Sequence, residues 1–480
     1  MPLLGFSDFD IKLNIESKYK AHLSKDKQSK EPLKEHIDLV FDYFLKLIEQ
    51  NGLEVRLNAL FEKCANIFEE IEEKEEFRTF VKYLFAKAIY WHDMGKINPN
   101  FQKEKMLNDV YEKTEISDSH HSPLGAYLFI NHSLDELYAK KLYDEEEILE
   151  AIIYIFGFLI SKHHGVIYQY EDLGFQNEFV EFLNKFNVTT EYTKILQDEK
   201  RIFSSMFDYI EKNYEILFLL SKSLFSLLII SDYYATAQFM NYGNRDELVY
   251  SDFGLIDDEF RTNSYNEFYS DKYHDGKQKT FNTNLRDKTN NDLKSFCELW
   301  RRSNENLNHL RNKLFIEVRT NLKSLLENNL SQNLFYIEAP TGAGKTNLSV
   351  MSAVEILQFD KSINKIFYVF PFTTLITQTY DSIKNVLNLD NSQIVQLHSK
   401  AKYNDKKEIK KDGAYGDEKT NFLDNQFMNY PLTLLSHVKF FNILTGVNKD
   451  DNYIFHRLAN SIVIIDEIQT YSPSLWSSIV

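Results

Sequence analysis

A short apolar run, Leu334–Glu338, leads straight into Ala339-Pro340-Thr341-Gly342-Ala343-Gly344-Lys345-Thr346, and a helical pattern follows. No other stretch restricts the fold as tightly. A strand that breaks into a glycine-rich turn and restarts as a helix is the phosphate-binding loop of a doubly wound α/β sheet. Its glycines let backbone N–H groups turn toward a polyphosphate, and the helix N-terminus adds positive potential. Thr341, Gly342, Ala343 and Gly344 are the expected cradle, Lys345 the contact to the β and γ phosphates of ATP, and Thr346 a ligand to its Mg²⁺. One position departs from the usual pattern: Ala339 stands where a glycine is expected.

The residues that follow continue the alternation. Lys365–Phe370, Ile394–Leu397 and Ser461–Ile465 read as buried parallel strands separated by helical stretches. The last of them delivers Asp466 and Glu467 at its C-terminal end, where α/β sheets place ligands. Asp466 is expected to hold Mg²⁺, directly or through water, and Glu467 to orient and deprotonate the attacking water.

The first half has a different texture. Lys34–Gln50, Phe77–Trp91, Glu146–Ser161 and Tyr214–Ala235 carry apolar residues at helical spacing. From about Gly254 to Thr289 the composition turns to Asn, Asp, Lys, Ser and Tyr, which reads as a loop-rich connection before a helix near Asp292–Asn328. A helical module at 1–253, a linker at 254–304 and an α/β lobe at 305–480 are the expected divisions. Lys+Arg 55 against Asp+Glu 71 gives a net charge of -16, which argues against passive coating of nucleic acid or anionic membrane but leaves a local basic channel open. Two cysteines, Cys64 and Cys297, build neither a disulfide framework nor a zinc site. The N-terminus lacks a secretory pattern, and Lys222 and serines interrupt the apolar run at Ile216–Ile230, so a buried helix, a cytoplasmic setting and no membrane are expected.

A second chemistry is written into the helical half. His92-Asp93 closes a helical run and is followed by Met94-Gly95-Lys96, placing an imidazole, a carboxylate and a lysine together. Imidazole nitrogen with carboxylate oxygen suits divalent Mn, Fe, Co or Ni. One pair cannot hold a metal, and further donors occur in order: His36, His121 before Ser122-Pro123-Leu124-Gly125, the adjacent His163-His164 before Gly165, and Asp232. Each alone could be a cap, a turn or a core histidine; the order is harder to obtain by accident. His22, His120 and His132 fall outside it and read as structural, with His120 the nearest rival to His121.

Asp466-Glu467-Ile468-Gln469 resembles the second motif of superfamily 2 helicases, and Pro371–Gln378 resembles their motif Ia, a loop that grips nucleic-acid backbone. Gln396-Leu397-His398-Ser399 and Pro431–Leu435 fall where further strand-contacting motifs sit. The His…His-Asp…His…His-His…Asp series resembles the HD phosphohydrolases, an all-helical fold. An HD domain followed by a helicase lobe is similar to the CRISPR-associated nuclease–helicases of type I interference, over nearly the whole chain from His36 to Asp466. Arg457–Ser461 leading into Asp466 adds to that likeness.

The resemblance implies a multidomain protein, an all-α HD-type metal-dependent phosphohydrolase followed by an α/β RecA-like lobe. It implies two divalent transition metals, one held by His36, His92, Asp93 and Asp232 and the other by Asp93, His121, His163 and His164. Asp93 bridges them, and Lys96 stabilises charge on the attacked phosphate. It also implies ATP with Mg²⁺ in the lobe, single-stranded DNA as substrate, and recruitment by an RNA-guided CRISPR surveillance complex; an anti-CRISPR inhibitor is a further partner open to such a protein. A second RecA-like lobe is expected to be missing before Val480, which weakens the motor but not metal-dependent nicking. Two other readings stay open: an HD phosphohydrolase acting on nucleotides with a regulatory P-loop module, and a non-catalytic adaptor.

Overall fold

The computed structural model describes residues 4–67, 71–112, 119–140, 146–165, 199–243, 246–274, 277–278, 281–293, 307–328, 333–397 and 425–471. His398, Ser399 and Cys297 lie outside them. The chain divides into two compact units: the residues up to Ser251 with Asn442–Ala459, and the residues from Asp252 onward apart from that segment.

The first unit is helical. Its main elements are α1 (Leu33–Gln50), α2 (Leu53–Ile67), α3 (Lys74–Trp91), α4 (Pro99–Glu104), α5 (Ser122–Lys140), α6 (Glu146–Lys162) and α7 (Glu199–Tyr242). On α1, Leu33, Ile37, Val40, Phe41, Phe44, Leu47 and Ile48 follow the 3.6-residue period and are all buried. Fully burying each such side chain contributes about 1.5–3 kcal/mol. Tyr43 on the same face stacks on Tyr234 of α7 at 5.4 Å between ring centroids and donates its hydroxyl to Gln238. That pairing sets the register of α1 against α7, with His36 two turns above Tyr43 and Asp232 beside Tyr234. The stretch Glu215–Tyr242 is long and apolar enough to cross a bilayer, yet its most apolar window is 67% buried inside the protein, as the sequence reading expected of a core helix.

Unlike the all-α expectation, this unit also holds an antiparallel ribbon, β1 (Lys20–Leu23) with β2 (Lys30–Pro32), in which His22 pairs with Glu31. Four-residue and three-residue strands leave almost no alternation to read, which is why the pattern passed unseen. The segment Asn442–Ala459 closes on α7: buried Lys222 donates to the Gly446 carbonyl at 3.0 Å and to the Asn452 side chain, and Ser226 bonds to His456 at 2.9 Å.

The second unit is built on a parallel sheet of β5 (Lys365–Phe370), β6 (Ile394–Leu397), β7 (Leu432–Ser436) and β8 (Ser461–Ile465), in the order β6-β7-β5-β8 among the described residues. A minor hairpin, β3 (Tyr273–His274) with β4 (Lys277–Gln278), precedes it. Central β5 is buried on both faces along its whole length, as its continuous apolar run demands. Its Ile366 lies opposite Leu432 on one side and Ile462 on the other. The sheet is dressed by α8 (Asp258–Phe268), short α9 (Phe281–Leu285), α10 (Leu307–Asn328), α11 (Lys345–Phe359) and α12 (Thr373–Leu387). Pro431–Leu435, read as a strand-contacting motif, includes most of β7. Helix α13 (His437–Thr445) and the single turn α14 (Lys449–Asn452) follow β7.

Two expectations are corrected here. Leu334–Glu338 is not a buried strand: it forms no assigned ladder, and Leu334 and Tyr336 are 50% and 70% exposed. Only its Ile337, with Ala339, packs on the core. The apolar content is real, but burial here serves one face of a marginal segment rather than two. The stretch from Gly254 is also less loop-like than its composition. Asp257 caps α8 by accepting from the Phe260 amide at 2.7 Å, and Phe260, Ser264 and Phe268 bury one face. Arg261 on that helix donates to the carbonyls of Leu357, Asp360, Lys361 and Ile363 and so terminates α11. Glu259, Thr262, Asn263 and Asn266 on the outer face mask the helical period.

Candidate metal centre and nucleotide loop

The centre of the first unit gathers side chains from five places in the chain. His36 comes from the first turn of α1, His92 from the C-terminal cap of α3, and Asp93 from the residue after it. His121 stands just before α5, His163 and His164 just after α6, and Asp232 inside α7. Two groups of donor atoms result: His36, His92, Asp93 and Asp232; and Asp93, His121, His163 and His164. Within each group one atom per residue lies within 4.8 Å of all the others. Asp93 belongs to both.

The distances give the detail. His36 Nε2 is 3.2 Å from Asp93 Oδ2 and 3.4 Å from Asp232 Oδ1; His92 Nε2 is 3.5 Å from Asp93 Oδ2. On the other side, Asp93 Oδ1 is 3.3 Å from His121 Nε2 and 3.5 Å from His163 Nε2. His164 Nε2 lies 3.0 Å from His121 Nε2. His92 and His163 each direct Nδ1 at a backbone carbonyl, of Ile89 at 2.8 Å and Ile160 at 2.6 Å. Donation there leaves the Nε2 lone pair pointing at Asp93, the usual arrangement of a metal-ligating histidine.

Glycine makes the assembly possible. A Cβ on Gly95 would sit 1.9 Å from the His121 carbonyl oxygen, and one on Gly125 would sit 2.6 Å from the His92 carbonyl oxygen. The turn after α3 and the first turn of α5 therefore meet backbone to backbone, which brings His92-Asp93 against His121. His120, one residue earlier, is exposed and uses its carbonyl to accept from Asn98. His132 lies elsewhere, against Trp91 and Glu136.

The electrostatics follow from burial. Asp93 and Asp232 are driven up by burial, but the surrounding groups (Lys96 and His92 at Asp93, His36 and His92 at Asp232) outweigh it and hold both carboxyls well below the usual range. Burial brings His121 down to about 4 and lowers His163 and His164, so these imidazoles are neutral donors at physiological pH. The donor set also fits a cation in a second respect: His92 Nε2, His163 Nε2 and both Asp93 oxygens are buried without a well-formed hydrogen bond. Lys96 is only 2% exposed, with its ammonium 2.7 Å from Asp93 Oδ2.

Sequence reasoning gives Glu31 no role and reads His22 only as structural. Burial pushes the Glu31 carboxyl up, but the imidazoles of His36 and His22 hold it down at about 2. Neither residue carries a motif of its own; a glutamate five positions before His36 could have been noticed, but nothing marked it.

The glycine-rich loop expected to cradle phosphate lies in the second unit. Gly342 and Gly344 have φ of 83° and 84°, a left-handed backbone that other residues rarely adopt, and Lys345 opens α11. Lys345 Nζ pairs with Glu467 Oε1 at 2.8 Å. Burial raises the Asp466 carboxyl, whereas the bond from Lys345 lowers that of Glu467. Arg311 of α10 donates to the Gly342 carbonyl at 2.9 Å. Thr341 is exposed, Ala343 is buried, and Thr346 is half-buried on the first turn of α11.

Comparison with known proteins agrees with this geometry in two steps. Residues 320–476 match the family model described as DEAD/DEAH box helicase. Over nearly its whole length the chain then shares the fold of Cas3 from T. fusca. The crystal structure of that Cas3 with ATP superposes with a TM-score of 0.53 at 14% identity, over 96% of this chain and 47% of that one. A further crystal structure of T. fusca Cas3 gives 0.52 at 14% identity, over 96% and 47%, and the ADP form 0.50 at 14% identity, over 96% and 48%. The chain thus spans about half the length of the Cas3 chains it matches. A sequence search of curated proteins gives no match. The likeness drawn from the motifs is borne out at the level of fold.

Proposed function

We propose that this protein is a Cas3-type nuclease–helicase whose first unit cuts single-stranded DNA with two divalent metals, and whose second unit binds ATP and Mg²⁺. The single observation that carries the nuclease reading is the pair of four-residue donor groups sharing Asp93. His36, His92, Asp93 and Asp232 would hold one ion, and Asp93, His121, His163 and His164 the other. When bound, Mn, Fe, Co or Ni there supplies acidified water and neutralises the charge of a phosphodiester. The chain's own residues do the rest. The Ile89 and Ile160 carbonyls fix the tautomers of His92 and His163, and Lys96 remains as a fixed positive charge for the phosphate oxygens in the transition state. In the cell, recruitment by an RNA-guided CRISPR complex would deliver the displaced DNA strand.

Cleavage of a labelled single-stranded oligonucleotide with Mn²⁺, without ATP, tests the reading. Hydrolysis of mononucleotides but not oligonucleotides would favour a nucleotide phosphohydrolase instead, and failure to bind any transition metal would favour an adaptor.

In the second unit, the Gly342–Gly344 amides would cradle phosphates, Lys345 and Thr346 with Asp466 would serve ATP–Mg²⁺, and Glu467 would orient the attacking water. Lys345→Ala removes a charge-assisted contact to phosphate and should weaken ATP binding about 10–100-fold, measured by calorimetry. Glu467→Gln has the opposite sign for binding. It releases Lys345 from a half-exposed ion pair, so ATP should bind up to about 5-fold tighter while hydrolysis is lost. Weaker ATP binding by Glu467→Gln would show that the ion pair prepares Lys345 rather than competing for it.

A further inference from the structure

A closed circuit of charged and polar groups runs from the metal centre to the ribbon and back. Asp93 Oδ2 meets Lys96 Nζ at 2.7 Å, and Lys96 Nζ meets His22 Nε2 at 3.1 Å. His22 Nδ1 meets Glu31 Oε2 at 2.7 Å, the same oxygen lies 3.3 Å from His36 Nδ1, and His36 Nε2 returns to Asp93 Oδ2 at 3.2 Å. Glu31 is 1% exposed, and its oxygen sits between two imidazoles whose rings cross edge to face at 4.5 Å. A carboxylate that deep persists only where it is paired.

We propose that Glu31, steadied by His22, is a positioning residue: it holds the His36 ring with Nδ1 toward itself and Nε2 toward Asp93 and Asp232, and so sets the affinity of the His36-side metal subsite. This rests on the metal reading above. The direction of the circuit is fixed by its donors. Lys96 can only donate, so His22 accepts at Nε2 and donates from Nδ1 to Glu31. Glu31 Oε2 accepts from His22 Nδ1 and stands 3.3 Å from His36 Nδ1, facing it without a well-formed hydrogen bond, while Nε2 is the His36 nitrogen nearest Asp93 and Asp232. His92 and His163, at helix C-terminal ends, achieve the same orientation with backbone carbonyls; His36, on the first turn of α1, instead faces a carboxylate from the ribbon. Carboxylate partners of this kind raise the basicity of the ligand they orient.

The test is Mn²⁺ titration of the chelator-stripped full chain by calorimetry, with circular dichroism melting of the metal-free protein as the fold control. The wild type should take up two ions. Glu31→Ala should weaken one of them about 10–100-fold and leave the other unchanged, and the isosteric Glu31→Gln should weaken the same one if Glu31→Ala fails to fold. His36→Ala should weaken that ion too, and adding Glu31→Gln to His36→Ala should cause no further loss, because Glu31 acts through His36. Additive loss in the double variant, or two ions bound by Glu31→Gln as tightly as by wild type, overturns the positioning role while leaving the metal reading intact. A wild type that takes up no Mn²⁺ overturns both.

Discussion

Asp93→Ala should reduce Mn²⁺-dependent cleavage of single-stranded DNA by at least about 10³-fold, equivalent to about 4 kcal/mol of transition-state stabilisation. Asp93 is the one residue common to both donor groups, so its loss disables both ions at once. His36 or His163 alone serves a single group, and their alanine variants should fall less. The variant also leaves Lys96 buried without its carboxylate, and breaking such a pair costs about 3–5 kcal/mol, so the melting temperature should drop as well. The two effects are separated by chelation: wild type treated with EDTA should lose cleavage while keeping Lys96 and Asp93 paired. Asp93→Ala protein that still cut at more than a tenth of the wild-type rate would end the two-ion reading.

Gly95→Ala should be nearly as damaging for a purely steric reason. The added Cβ would lie 1.9 Å from the His121 carbonyl oxygen and 2.5 Å from the Gly125 amide nitrogen. That carbonyl cannot swing aside, because it accepts from the Gly125 amide at 2.8 Å and so holds the first turn of α5. The turn after α3 and the start of α5 must move apart, costing about 3 kcal/mol as an overpacked contact. His121 then leaves Asp93, and Mn²⁺ stoichiometry should fall from two to one with cleavage lost. Alanine in the exposed, open positions of the fold would do nothing comparable, so a Gly95→Ala protein with two bound ions and wild-type melting would show that the backbone contact is dispensable.

Much of the molecule could be read before its coordinates. The alternation of β5, β6 and β8 with α11 and α12 was visible because strands in a parallel sheet read as continuous apolar runs, although only β5 is buried along its whole length and β8, expected to be buried, is half-buried with Val463 exposed. The donor series was visible because imidazoles and carboxylates carry their chemistry in their identity, whatever their surroundings. Less could be read where the signal was local. The Leu334–Glu338 segment had the composition of a strand without the flanks to be one. Helix α8 was hidden by polar residues on its outer face although Asp257 and the spacing of Phe260, Ser264 and Phe268 were there to be found. Three- and four-residue strands such as β1 and β2 offer no period, so nothing in the sequence marks Glu31 and His22 reads only as structural.

By itself, then, the order of residues determined the inventory: a candidate phosphate loop, an acidic strand end, and seven candidate histidine and aspartate donors in family order. Tertiary structure decided how they are shared out. That Asp93 faces both groups, that His121 rather than His120 reaches it, and that Glu31 backs His36 all depend on which helix ends approach within a bond length or two. That approach is governed by backbone contact at Gly95 and Gly125 and by the seating of α1 on α7, contacts between residues distant in the chain that no local pattern encodes.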